Sequence, residues 1–352
     1  MRNAIITGTG LYVPGEPIPN SVFNERHQED IDGFLRENRN ILQRYYMSDD
    51  QATSDLIVPA ARDALAEAGI TAEALDLIIV STDTPDYISP STAAVVQYRL
   101  GAVNAGVFDV NTACAGFVTA LDIAWKYIRA DERYRHILVV GAYGMSKYLD
   151  QDDYKIASLF ADGAGVVVLS AIDNTGASAG ASSAVNAGIL DAGRAVGVLA
   201  STLYADGSFH DFMGIYSGGT RTPASHASID AKDTLLRFAK KIPPETNPQH
   251  WPRLVRTVLD QIGKTPEDVR TYFFTQININ SIRETLDILG VPHDRAHNVM
   301  DKFAYTGSAC IPMAIADAAD AHRLAPGDLV MLVGSGGGIS MAALALEWSY
   351  TT

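Results

Sequence analysis

The chain has 352 residues, 47% of them hydrophobic and 19% charged, so it carries enough apolar material for a large buried core and is not a disordered protein. That length exceeds the roughly 250 to 300 residues at which a single core stops growing, which points to two packed halves. A net charge of −14 argues against general binding of nucleic acid or anionic membranes, and two cysteines, Cys114 and Cys310, exclude a disulfide framework or a Cys-rich zinc site.

In chain order, Met1 to Gly10 reads as a short strand ending at glycines, without the apolar region and cleavage site of a signal peptide. No stretch approaches the roughly 18 apolar residues of a membrane span, so a cytoplasmic setting is expected. Residues 11 to 50 hold scattered charges and Pro14, Pro17 and Pro19, with a short helix within Phe34 to Tyr46. Ser54 to Ala68 has apolar residues at helical spacing and is closed by Gly69, and Leu75 to Ser81 is a buried strand. A helix from Ser91 to Leu100, a strand from Gly106 to Val110, a helix from Cys114 to Ala130 and a strand from His136 to Gly141 follow. This alternation predicts a parallel sheet covered on both faces.

Residues 151 to 230 differ in texture, reading as a strand pair with long Gly- and Ser-rich loops. Alternation then resumes, with helices over 232–241 and 251–262, a strand at Tyr272 to Phe274 and a helix from Asn280 to Leu289. A strand near Val299, a helix from Gly307 to Ala319 and a strand from Asp328 to Val333 complete it. The order echoes the first half, so the expected division is 1–172, connecting loops over 173–230, and 231–352. The turn with Tyr305 then occupies in the second half the place of Cys114 in the first, and a crevice is expected where the two turns meet.

Cys114 lies in Phe108-Asp109-Val110-Asn111-Thr112-Ala113-Cys114-Ala115-Gly116-Phe117, a strand turning into a helix. Unpaired N–H groups and the helix dipole there favour a nucleophilic thiolate; the alternative is a small packed thiol, which is also the reading for Cys310. The loop Gly334-Ser335-Gly336-Gly337-Gly338 lacks the Lys-Ser/Thr of a P-loop. Beside a reactive cysteine its N–H groups suit an oxyanion hole formed by Gly337 and the Cys114 amide, against the alternative of a plain tight turn.

Taken together, Ile6-Thr7-Gly8-Thr9-Gly10, Ser89-Pro90-Ser91, Phe108 to Phe117, Phe160-Ala161-Asp162-Gly163-Ala164-Gly165, Ala205-Asp206-Gly207-Ser208, Ser308-Ala309-Cys310-Ile311-Pro312 and Gly336-Gly337-Gly338 resemble the thiolase superfamily, and within it the β-ketoacyl-acyl-carrier-protein synthases III. The resemblance implies a duplicated α-β-α-β-α five-layered α/β fold, a dimer, and a cysteine, here Cys114, that takes an acyl group from coenzyme A. Active members have a His in a Pro-His-Gln-Ala-Asn pattern and an Asn in a Gly-Asn-Thr-Ser turn. The matching stretches are Phe274-Thr275-Gln276-Ile277-Asn278 and Ala304-Tyr305-Thr306-Gly307, so Thr275 and Tyr305 stand at those positions.

Both hydroxyls can donate a hydrogen bond, but neither is a base near neutral pH, so acyl transfer should survive better than decarboxylative condensation. The resulting site is Cys114, Thr275, Tyr305 and Gly337. An acyltransferase or condensing enzyme of fatty-acid-like or polyketide-type metabolism is expected. Its substrate is a coenzyme A or phosphopantetheine thioester, its partner acyl-CoA or an acyl carrier protein, and no permanently bound cofactor or metal is expected. The alternatives are a catalytically degenerate subunit paired with an active paralogue, or a thioester hydrolase. His210 beside Asp211 is a candidate substitute base against the plain reading of an exposed loop histidine; the remaining histidines read mostly as solvated residues without metal-ligand spacing. Where the resemblance implies a Trp and an Arg holding the adenine of coenzyme A, the nearest counterparts are Phe34 and Asn38, with Arg36 and Arg39 nearby, a departure from the family's contacts. Arg237, Lys240 and Lys241 on one helix, extended by Arg253 and Arg256, form a candidate carrier-protein face or a plain solvated one.

Overall fold

The computed structural model describes residues 2–172 and 196–350. The first half contributes β1 (Asn3–Tyr12), α1 (Ile31–Arg39), α2 (Thr53–Ala68), β2 (Leu77–Ser81), α3 (Thr92–Leu100), β3 (Gly106–Val110), α4 (Gly116–Ala130), β4 (His136–Tyr143) and β5 (Gly163–Ile172). The second contributes β6 (Gly197–Phe209), α5 (Thr246–Gln261), β7 (Thr271–Phe274), α6 (Ile279–Leu289), α7 (Cys310–Asp320), β8 (Leu329–Gly336) and β9 (Gly338–Glu347).

The first sheet has five strands in the order β1-β5-β4-β2-β3, and the second has four in the order β6-β9-β8-β7. In both, the pair nearest the β1 or β6 edge is antiparallel and the remaining pairs are parallel or join antiparallel to them, in the same sequence. Thus β6, β9, β8 and β7 are the counterparts of β1, β5, β4 and β2. Beyond β7 an isolated parallel bridge, Tyr272 to Ala296, takes the place of β3. The strand expected near Val299 is reduced to that bridge, and Met300–Phe303 is a short helix.

Helices α4 and α7 lie between the sheets, α2 and α3 cover the outer face of the first, and α5, with α6 packed on it, covers the second. The five layers agree with the duplicated α-β-α-β-α fold. The sheets are mixed, not parallel, because β5 and β9 return beside their neighbours without a covering helix, and an antiparallel neighbour needs none.

Close packing explains several motif glycines. A Cβ at Gly8 or Gly10 would strike the backbone of Ala64 or Ala60, so β1 lies directly against α2. Gly141 and Gly165 likewise let the sheet approach Ser308 and Met313 at the head of α7.

Two further readings change. Within the stretch expected to be connecting loops, Gly197–Phe209 is a thirteen-residue strand of the second sheet; residues 173–195 lie outside the described residues. No helix covers 232–241: Arg237 and Phe238 pair with Gly214 and Met213 in a two-stranded ribbon. No helix among the described residues is long and apolar enough to cross a membrane.

Candidate active site

The chain leaves β3 through a tight turn. Asn111 Oδ1 accepts from the Ala113 amide at 3.0 Å, Ala115 N–H donates to Thr112 O at 3.2 Å and Gly116 N–H to Ala113 O at 2.9 Å. Ala113 takes φ +47°, the left-handed region, which costs an L-residue about 1–2 kcal/mol and is held by these bonds. The turn sets Cys114 just before α4, 2% exposed. The end of β8 backs onto it: a Cβ at Gly336 would lie 2.8 Å from Cys114 N and 3.0 Å from Ala113 Cβ. Gly337, the next residue, neighbours Met213, with a Cβ there 3.4 Å from the methionine methyl.

The turn before α7 meets Cys114 from the other half. Tyr305 is clamped by its backbone, its N–H donating to Leu159 O at 3.1 Å and its carbonyl accepting from Ala161 N–H at 2.9 Å. Its ring packs 5.3 Å from that of Phe160 and 6.4 Å from that of Tyr143, and its hydroxyl acts on the Cys114 thiol in the direction that favours the thiolate. The expected convergence of the two equivalent turns is therefore present.

The electrostatics differ from the expectation of a helix-stabilised thiolate. Burial pushes the Cys114 thiol well above its usual value, the Asp83 charge pushes it further, and the Tyr305 hydrogen bond pulls it back only in part. Cys114 lies two positions before Gly116, where α4 begins, and desolvation outweighs the helix dipole there. Burial likewise raises the Tyr305 and Tyr143 phenols well above their usual range, so both stay neutral donors. In the closed site the thiol holds its proton.

Thr275 is 1% exposed at the end of β7. Its hydroxyl accepts from Ser335 N–H at 2.8 Å and donates to Ser335 O at 3.3 Å, so it ties β7 to the Gly-rich loop. Gln276 follows, fully buried, its amide donating to His297 O at 3.1 Å and accepting from Val299 N–H at 2.8 Å.

Sequence reasoning passed over Asp83. It follows β2, the counterpart of β7, and its Oδ1 is buried without a hydrogen-bond partner. Its charge acts on Cys114, Tyr143 and Tyr148, and burial raises its carboxyl to about 6. The available signal was an acid in Ser81-Thr82-Asp83-Thr84, directly after a fully buried strand.

Other candidates lie apart. His210 is exposed in the turn after β6, and Asp211 pairs with Lys240 at 2.6 Å. Arg237 pairs with Asp233 at 2.7 Å in the ribbon, so Arg237, Lys240 and Lys241 do not share a helix. His136 and His297 are buried, against the solvated reading, hydrogen-bonded to Ser170 at 2.9 Å and Asp317 at 2.8 Å. Phe34 is half exposed on α1 with the Arg39 guanidinium 5.5 Å from its ring centre, while Arg36 pairs with Asp32 at 2.8 Å. A basic cleft lined by Arg270, Arg295 and Arg323 opens at the start of β7, the opposite end of that strand from Thr275. Cys310 is buried with its thiol pushed up to about 12, as suits a packed residue. Among the described residues no His, Cys, Asp and Glu cluster could hold a metal ion.

Comparison with known proteins places matches along the whole chain. The model of the 3-oxoacyl-[acyl-carrier-protein] synthase III family matches residues 108–188, and that of its C-terminal domain matches residues 259–348. The chain is 35% identical over 349 residues to 3-oxopimeloyl-[acyl-carrier-protein] synthase of Rhodothermus marinus, covering 99% of this chain and 94% of the relative. It is 31% identical over 352 residues to β-ketoacyl-[acyl-carrier-protein] synthase III of Caldanaerobacter subterraneus subsp. tengcongensis, covering 98% and 97%. The crystal structure of 3-oxoacyl-(acyl carrier protein) synthase III from Pseudomonas aeruginosa superposes with a TM-score of 0.85 at 28% identity, covering 99% of both chains.

Proposed function

Because the chain belongs to the 3-oxoacyl-[acyl-carrier-protein] synthase III family, we propose that it is a condensing acyltransferase of fatty-acid or polyketide-type metabolism working through Cys114. The observation that carries this reading is the buried Cys114 thiol in the turn before α4, acted on by the Tyr305 hydroxyl of the equivalent turn and enclosed with it by Phe160 and Tyr143. The reaction is ping-pong. Cys114 attacks the carbonyl of a coenzyme A or phosphopantetheine thioester. The Cys114 and Gly337 amides stabilise the developing oxyanion, the carrier thiol leaves, and the acyl group passes to a second substrate.

Tyr305 donates first to the sulfur and then toward the acyl carbonyl. Thr275 acts as a positioning residue, holding Ser335 and through it the Gly-rich loop. Phe34, stacked by Arg39, is a platform for the donor's base. The partner is acyl-CoA or an acyl carrier protein, and the thioester is substrate, not resident cofactor.

A homodimer fits the edge of the first sheet. Among the described residues strand β3 has no neighbour on its outer side, and Ile88, Tyr98 and Val103 are 88%, 85% and 72% exposed. An open apolar edge of this kind invites pairing with a second copy. Two buried free thiols suit a reducing cytoplasm.

Intact-protein mass spectrometry after incubation with acetyl-, hexanoyl- and decanoyl-coenzyme A, and with the same acyl groups on a carrier protein, tests the reading. The expected result is an adduct mapped to Cys114 and absent from Cys114→Ala; folded protein that takes no acyl group from any donor overturns it. An adduct that water rapidly clears marks a thioester hydrolase, and isolation only as a stable pair with a paralogue bearing the family His and Asn marks a partner subunit.

A further inference from the structure

A neutral, buried thiol needs a base, and none of the residues at the family's helper positions is one. Thr275 is committed to Ser335, Tyr305 is a donor, and His210 is exposed in a distant turn. We propose that Asp83 is the general base of this site, taking the proton of the Cys114 thiol as its sulfur attacks the thioester; the inference rests on the acyl-capture reading.

The geometry supports it from several sides. Asp83 stands two residues past β2, and Thr275 one residue past its counterpart β7, so the two lie at neighbouring positions of the two halves. Ser81 packs on the head of α4, where a Cβ at Gly116 would strike its hydroxyl, and Thr84 holds the end of β4 at Gly144. Its neighbours are fixed and otherwise engaged. The Thr84 hydroxyl accepts from Gly144 N–H at 2.8 Å, the Thr84 carbonyl accepts from the Thr53 hydroxyl at 2.5 Å, and the Thr82 hydroxyl accepts from Thr84 N–H at 3.0 Å. These bonds pin the backbone on both sides, while Asp83 Oδ1, like the Ser81 hydroxyl before it, is left buried without a hydrogen-bond partner. A carboxylate with one oxygen buried and unpaired, acting on a thiol and two phenols, is poised to accept a proton.

The step balances simply. Asp83 takes the thiol proton as the Cys114 sulfur bonds to the acyl carbon; the tetrahedral intermediate collapses with loss of the donor's thiolate; and Asp83 returns the proton to that thiolate. Acyl-Cys114, a free thiol and the Asp83 carboxylate remain, with no oxidant or metal required.

The groups on which the Asp83 charge acts are Cys114 in the turn before α4, Tyr143 at the end of β4 and Tyr148 in the following turn, Met145–Tyr148. Burial keeps both phenols neutral through the working range, and no described cation is among the causes acting on the carboxyl. Because Asp162 is also raised to about 6, the limb of acylation near pH 6 is assigned to Asp83 by its loss in Asp83→Asn.

The experiment follows the appearance of acyl-Cys114 by rapid-quench intact mass, from pH 5 to 9, using whichever acyl-coenzyme A loads the wild-type protein. The wild type is expected to show a rate rising with pH through about 6 and then levelling. Asp83→Asn is expected to slow acylation by about 10²- to 10⁴-fold at neutral pH and to lose that limb. Asp83→Glu should retain the limb with a smaller loss. Thermal unfolding of each variant checks that it is folded.

A wild-type profile without a limb near 6 overturns the inference with no variant needed, as does a folded Asp83→Asn protein that acylates at the wild-type rate. In both cases Cys114 still loads and the acyl-capture reading stands. A wild type that never loads defeats both.

Discussion

Replacing Asp83 by Asn should make the protein more stable above neutrality while making it slower. The folded carboxyl, raised to about 6 by burial, stands above the ordinary unfolded value near 3.8, so the folded state binds the proton more tightly. The sign follows. Below about pH 4 both states are protonated and burial of the group is cheap. Between about 4 and 6 the unfolded chain ionises first, and above 6 the folded protein carries the whole cost of a dry carboxylate. That cost is about 3 kcal/mol, at about 1.4 kcal/mol per pH unit. Asn carries no such pH dependence, although its amide brings a fixed cost of about 1–2 kcal/mol for an imperfectly paired buried group. Comparing the two proteins at two pH values cancels that fixed cost, and cancels Asp162, whose buried carboxyl is also raised to about 6. Differential scanning calorimetry at pH 4.5, where about 1 kcal/mol of that cost is already present, and at pH 8 should show the Asn variant gaining about 2 kcal/mol relative to wild type between them, on the order of 3 °C in Tm. A gap of the same size at both pH values would refute the reasoning, since it would mean that Asp83 is charged and paid for equally in both states.

The remaining perturbations test the walls of the site. Tyr305→Phe removes the donor to the Cys114 sulfur and should slow acylation by about 10- to 150-fold, the worth of a hydrogen bond of about 1.5–3 kcal/mol to a charged partner, with little change in Tm; unchanged loading in a mass-spectrometric time course would discard that donor. Gly336→Ala drives a methyl to 2.8 Å from Cys114 N and should cost about 1–3 kcal/mol and more than tenfold in acylation rate, so a variant as stable and fast as wild type would show that the loop does not press on the turn. Ala304, at φ +53° and ψ −144°, holds backbone space open essentially to Gly, so Ala304→Gly should gain about 1 kcal/mol after the unfolded chain's added freedom is counted; a lower Tm by calorimetry would contradict the strain.

The two-fold organisation was legible because buried strands and amphipathic helices alternate with a changing period, and a repeated order needs no tertiary knowledge to see. Strand Gly106–Val110 and the helix closed by Gly101 stand where the periodicity and the glycine put them. Strand β9 was missed for a physical reason. Its Met341-Ala342-Ala343-Leu344-Ala345-Leu346 run is rich in helix formers, yet it lies between β8 and β6, where pairing on both edges overrides local preference. The run from 232 to 241 failed in the opposite direction, since its charges suggested a helix face while Arg237 and Phe238 pair with a distant ribbon strand. At the site, Cys114 and Tyr305 could be placed by their turns. Asp83 could not, because its importance comes from the desolvation and isolation that only the packed fold imposes.

A duplicated fold offers a nucleophile two equivalent sets of neighbours. The turn before α7 brings Tyr305 to Cys114, and the ends of β7 and its counterpart β2 offer one further position each. Thr275 uses its hydroxyl to hold Ser335, while Asp83, across the pseudo-two-fold relation, leaves a carboxylate oxygen unspent. Moving the assistant from one half to the other changes the chemistry it supports. A carboxylate accepts protons, which suits activation of a neutral thiol; an enolate formed by decarboxylation needs donors aimed at its oxygen, and here Tyr305 is the side-chain donor that acts on the Cys114 thiol. A malonyl carboxylate would also enter against the like charge of Asp83. Acyl capture is thus the step this arrangement favours, and the second substrate it suits best is one that approaches uncharged.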